Sequence, residues 1–444
     1  MDFSSELYCE HLEEGAFLYD QCGELSTDPQ LGWDDLADFE ERLDAHADAL
    51  VVGGDSALEV CRQRAMAGDP GELHMAARVF CRQDRFDLLS ECLKDLNATD
   101  SEPIIAVGNA LNHELPLNWV PQVEALLIEG TELSLAVFAK VVGYRRIELI
   151  GALIGALEHC SDPILHNIIW ALGRIRGHEA RTPLMAYLDH ENPLICADAA
   201  ISLLRMGRGV QSCQWLNSLK VQNGRILAIG LGGQRAMLKT VLNQMAQGRA
   251  NNDYPIALGM LGDIVAVEPL IDLMADAEMA NSSALALNLI LGADLYEEVF
   301  IPDQLDPDEL FDDEREGVEK SKAINGDVKA AGTTVEMLIT RPDAWRQWWK
   351  ANGKRFQADI CYRQGQPYTP QSLLEILKDP KSPHILRQIA YEELVIRYGL
   401  EIAFETDMPV REQKAALARY EKLIAQRAQE FKPGRWYIGG RMIS

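Results

Sequence analysis

Ala197, Ala200, Ile201 and Leu204 fall at i, i+3, i+4 and i+7, which is one apolar face of a helix. The same kind of stretch returns along the middle of the chain. ALGRIRG begins at Ala171, ISLLRMG at Ile201, LAIGLGG at Leu227, ALGMLGD at Ala257 and LNLILGA at Leu287. An earlier copy, VVGYRR, begins at Val141. The steps are 30 residues, with one of 26 between Ile201 and Leu227. Pro183 in TPLMAYL and Pro269 in EPLIDLM repeat the register independently, 86 residues apart. Few stretches alternate with period two, so strands should be scarce.

Each unit reads as two helices. Pro163 and Pro193 sit near the starts of second helices, where a missing N–H costs least. Gly177, Gly207, Gly233 and Gly262 fall near helix ends, where glycine suits a stop. A helical pair of this length cannot bury its apolar face alone, but stacked pairs share one continuous core. The 30-residue pairs, with ALGxxG-like second helices and Pro near helix starts, resemble HEAT repeats of the short, bacterial kind. The resemblance covers roughly residues 100–293. It implies an all-α fold, an α-solenoid in which helical pairs form a right-handed superhelix.

The flanks also read as helical. Trp33, Leu36, Phe39, Leu43, Ala47 and Leu50 form one stripe, and the opposite side is strongly acidic. Residues 1–100 are therefore expected to be an acidic helical region continuous with the 101–293 repeats. Residues 294–320 break the beat and read as an acidic loop or insertion. It is either a solvated loop or a semi-ordered segment that docks a basic partner through acids such as Asp308, Glu309, Asp312 and Asp313. The 321–444 region is rich in tryptophan. Trp345, Trp348 and Trp349 lie at i, i+3 and i+4, as a core anchor or an exposed hot spot for a partner. A further repeat-like pair follows at 370–399, then a long helix near 409–431.

DLADFEERLDAHADAL near the N-terminus, the central repeats, and WRQWWKANGKRF with CYRQGQPYTPQSLLEIL near the C-terminus together resemble a bacterial family of HEAT-like proteins. Members of that family often accompany type VI secretion genes. The resemblance spans most of the chain and implies an accessory role in secretion, with no catalytic residues to transfer.

Charge changes the picture of partners. The chain has 444 residues, with 68 acids against 42 Lys and Arg, a net charge of −26. Residues 1–102 hold 25 acids to 7 bases and residues 294–320 hold 12 to 2, whereas residues 321–444 hold 14 to 20. Such acidity argues against nucleic acid or anionic membrane and favours a protein with a basic surface. An apolar content of 47% excludes a mainly disordered chain. No apolar run is long enough to insert in a membrane, and the N-terminal acids do not suit a secretory signal, so a cytoplasmic protein is expected. The nine scattered cysteines contain no CxxC pair and read as reduced thiols.

The motif search finds no reaction. GDVKAAGTT at 326–334 lacks the spacing and the Lys of a phosphate loop. GLGGQ at 230–234 falls at a helix end with no preceding strand. The nine histidines form no HExxH or zinc spacing, and there is no GxSxG. Some proteins with similar repeats attach bilin pigments, but repeat similarity alone does not carry that lyase activity. No enzyme, metal or cofactor is therefore expected.

One ladder stands out. Arg146 and Arg176 hold equivalent repeat positions, Arg205 and Arg208 flank the next, and Arg235 lies near the one after. Stacked repeats would align them into a ridge. The ridge either pairs with acids of neighbouring repeats and caps helix ends, or recognises an acidic segment. The expectation drawn from all these features is a non-enzymatic binding scaffold or adaptor. An immunity protein for a basic toxin is the alternative, and a lyase-like enzyme a more distant one.

Overall fold

The computed structural model describes residues 3–26, 28, 30–66, 69–207, 225–247, 251–302 and 332–443. The chain is mostly helical, and among the described residues no helix is long and apolar enough to cross a membrane. The N-terminal region contributes α1 (Phe3–Leu25), α2 (Ala37–Val52), α3 (Gly54–Ala65), α4 (Pro70–Arg82) and α5 (Phe86–Asp95). After α6 (Ser101–Glu114) the helices pair: α7 (Val120–Glu129) with α8 (Glu132–Tyr144), α9 (Ile150–Ala156) with α10 (Asp162–Ile175), and α11 (Arg181–Met185) with the helix after it. Next come α12 (Pro193–Arg205), α13 (Ile226–Gly232), α14 (Arg235–Ala246), α15 (Asp253–Leu261), α16 (Val267–Leu273) and α17 (Ala280–Leu291).

Eight of these helices, α4, α6, α8, α10, α12, α13, α15 and α17, pack each against the next in one row. Sequence explains the close spacing. Gly143, Gly173 and Gly259 hold the same repeat position, and each faces a small residue of the following helix. A Cβ on Gly143 would meet the Ala171 backbone at 2.5 Å, and one on Gly173 would meet Ser202 Oγ at 2.3 Å. Glycine is thus required for helices to approach this closely, which is why ALGxxG recurs. Pro163 and Pro193 occupy the first turns of α10 and α12, as expected.

Past the row the chain turns back. Strands β1 (Tyr296–Pro302) and β2 (Gly332–Leu338) pair antiparallel, Val299 opposite Val335. A strand therefore stands where the sequence reads as the start of an acidic loop. Four helices follow: α18 (Pro342–Asn352), α19 (Pro370–Lys378), α20 (His384–Ile396) and α21 (Val410–Arg427). The short hairpins β3–β4 (Tyr362–Arg363, Gln366–Pro367) and β5–β6 (Tyr437–Ile438, Arg441–Met442) link and end this region. α20 lies on α12 and α13, β3 lies on α17, and α21 reaches α2. One hydrophobic core runs continuously from Leu12 to Ile438. The eight described cysteines are free thiols.

Candidate protein-binding interface

The arginines of the row and the carboxylates of the C-terminal region form a buried seam. Arg146 and Arg176 end α8 and α10 in the left-handed conformation, with φ of 56° and 65°. Gly262 and Gly292 take the same conformation one or more repeats later. Left-handed backbone costs a non-glycine residue about 1–2 kcal/mol, so these arginines stand where glycine would be easier. Their side chains offset that cost. Arg146 donates from Nη1 to the Gly143 and Tyr144 carbonyls, closing its own helix. From Nη2 it donates to Glu405 Oε1 at 2.6 Å and to the Tyr391 hydroxyl at 3.1 Å. Arg176 pairs with Glu401.

Arg174 and Arg205 complete the seam. Arg174 bridges Glu405 at 2.9 Å and Glu392 at 2.8 Å, and its guanidinium lies over the Trp170 ring. Arg205, wholly buried, donates to Glu392 at 2.7 Å, to Tyr391 and to the Gly173 carbonyl. Burial by itself would raise the Glu405 carboxyl, but Arg174 and Arg146 outweigh it and hold it low. Burial would likewise lower Arg205, yet Glu392 and its neighbours leave it raised. Both partners therefore stay ionised.

A second buried knot lies further along. Arg363 donates to Glu393 at 2.6 Å and to the Gly259 and Met260 carbonyls. Arg397 donates to the Gly230 carbonyl at 2.6 Å and lies 3.4 Å from Glu393. These arginines cap the open ends of α13 and α15 from across the interface, satisfying carbonyls no helix can satisfy.

The ladder expected from sequence is thus present, but its partners are not acids of neighbouring repeats. They come from residues 391–405 of the same chain. Arg235 alone pairs as expected with an acid of the next repeat, Asp263 at 2.5 Å, and it also meets Asp359, while Arg146 caps a helix end as the same expectation had it. Arg208 lies outside the described residues, as do Asp308, Glu309, Asp312 and Asp313. Trp345 is fully buried and donates Nε1 to the Ile339 carbonyl at 2.6 Å. Trp348 and Trp349 are half-buried against Phe356. Sequence reasoning missed Arg174, Arg363, Arg397, Glu392, Glu393, Glu401 and Glu405. The acids of YEEL at 391–394 were the visible signal, because paired acids on an otherwise apolar helix need buried cations.

The other large feature is a cleft of about 1480 Å³ between the N-terminal helices and the C-terminal region. α1, α2, α4 and α6 form one side, and residues 380–413 form the other. Most of its lining cations are held from within, while Lys381 has no acidic partner among the described residues. Arg78 pairs with Asp44 and Glu114, Arg411 pairs with Asp44, and Arg387 donates to Gln413 while lying over Trp33. Its acids are not all matched. Asp20, Glu41, Glu102 and Glu336 have no cationic partner among the described residues. Burial, then Asp69, Glu24 and Glu102, push the Asp20 carboxyl up. Glu40 accepts a hydrogen bond from the Val410 N–H at 2.7 Å, yet burial and nearby Asp44 raise it to about 7. His113 is pushed down to about 4 by burial and by Arg78, so its ring is neutral.

A model of the PBS lyase HEAT-like repeat matches residues 164–190, which span α10 and the start of the following pair. No curated protein matches the chain significantly.

Proposed function

We propose that the protein is a non-enzymatic scaffold that binds another protein, with the helix row serving as a HEAT-like solenoid. The HEAT-like repeat match supports a repeat scaffold of the kind that mediates protein interactions. One observation carries the choice of partner: the arginine ladder is filled by the chain's own Glu392, Glu401 and Glu405. An acidic partner has no vacant arginine ridge to occupy. The charge in excess is negative, −26 over the chain, which steers a basic protein toward the surface and suppresses acidic competitors. The resemblance to the family that accompanies type VI secretion genes supports an accessory role, as adaptor or chaperone-like factor for a secreted cargo in the cytoplasm. The same acidity favours one other reading, an immunity protein that covers a basic toxin domain.

The test is capture of the tagged full-length protein from its native cells, with zero-length coupling of carboxylates to lysines and mass spectrometry. The expected result is one dominant basic protein, coupled through carboxylates of this chain. Recovery of nothing above background would overturn the scaffold reading. Deletion of the gene separates the two roles, since an adaptor's loss stops secretion and an immunity factor's loss kills the cell.

A further inference from the structure

The cleft between the N-terminal helices and the C-terminal region holds polar atoms that the fold leaves unanswered. Asn112 is 4% exposed and lines the cleft, and its Oδ1 receives no hydrogen bond. Trp33 Nε1, also at the cleft, is buried and donates to nothing. The neutral His113 has a buried Nδ1 without a partner. Buried polar atoms are ordinarily paired, and each one left unpaired destabilises the fold. An acceptor and a donor left open in one cleft fit an occupant that carries both N–H and C=O groups.

Charge, size and apolar surface narrow the occupant. Asp20, Glu41, Glu102 and Glu336 supply unmatched negative charge, in excess of the one unpaired lysine of the lining, Lys381. That repels nucleic acid and anionic metabolites and attracts Lys or Arg. The volume of about 1480 Å³ exceeds the roughly 300–1,000 Å³ of small-molecule sites. Leu31, Ile105 and Ile385 are exposed large apolar side chains within the same lining.

We propose that this cleft binds an extended basic segment of another protein, one Lys or Arg of which donates to Asn112 Oδ1. Apolar residues of the segment cover Ile105 and Ile385, and one of its backbone carbonyls accepts from Trp33 Nε1. This rests on the protein-binding reading above and adds where the partner sits and what chemistry it presents.

The experiment is selection of a random 12-residue peptide library on the full-length protein. The selected peptides are then titrated by fluorescence anisotropy at 150 mM salt. Enrichment of Lys and Arg interspersed with apolar residues is expected. Glu102→Lys should weaken the selected peptides tenfold or more. Glu148→Lys, the same charge change at an exposed site outside the cleft, should weaken them less than twofold. Asn112→Leu, which removes the acceptor without emptying the space, should weaken them at least fivefold with no loss of melting temperature. Wild-type chain that enriches no basic peptides would overturn the proposal. So would equal losses for Glu102→Lys and Glu148→Lys, which would mean diffuse attraction with no site. If capture from cells yields a partner coupled elsewhere and selected peptides do not displace it, this inference falls and the scaffold reading stands. If capture also yields nothing, both fall.

Discussion

Two charged regions lie between the helix row and the returning C-terminal region, and they end in opposite states. In the seam every arginine finds a carboxylate or a helix carbonyl of its own chain, with Glu405 and Glu392 each shared by two arginines. In the cleft the cations other than Lys381 are held from within, while several acids, one amide oxygen and one indole N–H have no partner among the described residues. The same chemistry therefore does two jobs. Where it pairs opposite charges it fixes one geometry between distant parts of the chain, even though Arg363 Nε and Arg397 Nε and Nη1 stay without a hydrogen bond. Where it is unsaturated and open it is available to another molecule. An arginine ladder in a repeat array is not by itself a docking surface, because a later segment of the same chain can be its ligand.

The largest effects should come from breaking the seam. Glu393→Ala strands Arg363 and Arg397, whose side chains are fully buried. It should cost about 3–5 kcal/mol in denaturant unfolding. A loss below 1 kcal/mol would show that water or rearrangement replaces the carboxylate. Trp345→Ala should cost a similar amount, about 3–5 kcal/mol, because the ring is wholly buried. Trp348→Ala should cost less, since that ring is half-buried.

The two left-handed arginines sharpen the contrast further. Arg146→Gly relieves backbone strain but leaves buried Glu405 short of a cation, so melting temperature should fall. Arg176→Gly gives the same relief and removes a partly exposed pair with Glu401. Such pairs contribute about 0–1 kcal/mol, so this variant should be neutral or slightly more stable. A large loss at Arg176 would mean that its pair matters as much as the buried one.

The two glutamates should respond to pH in opposite directions. Glu405 is held below its usual range, so its stabilisation is present above the unfolded value near 4.5 and lost as pH falls through the folded value. Glu405→Gln should flatten the acid side of the melting profile. Glu40 is raised from 4.5 to about 7. Between those values the folded protein holds the extra proton, so Glu40 makes stability decline as pH rises through that window and then level off. The groups facing Glu40 are the Val410 N–H, Asp44, Arg411, Glu412 and, on α1, Cys22. Glu40→Gln should remove the decline between pH 5 and 7, measured by calorimetry in matched buffers. A profile unchanged by the substitution would place the titration on another group. The smallest effect should be Ile105→Ala, an exposed residue, expected to change stability by less than about 0.5 kcal/mol.

Local pattern carried the helices because it only had to report which side of a helix is apolar. Pro193 at a helix start and the apolar face of Ala197, Ala200, Ile201 and Leu204 are each decided within a few residues of sequence. The long helix expected near 409–431 is observed as Val410–Arg427. The β1–β2 hairpin was not legible, since its strand residues Tyr296–Pro302 sit among acids and lack clean alternation. Arg146 and Arg176 were legible as a ladder, but the identity of their partners was not.

What the sequence alone determined is the helical, repeating character of the chain, its acidity and the alignment of its arginines. Tertiary structure decided who answers those arginines. Arg146 meets Glu405 across 259 residues of chain, and Arg174 meets it across 231. No periodicity links positions so far apart. The pairing exists because α20 and the residues after it fold back onto the row, where buried charge is tolerated only beside its opposite. The cleft arises from the same return. Its walls come from opposite ends of the chain, so its unpaired Asn112 and Trp33 became visible only when those ends were brought together.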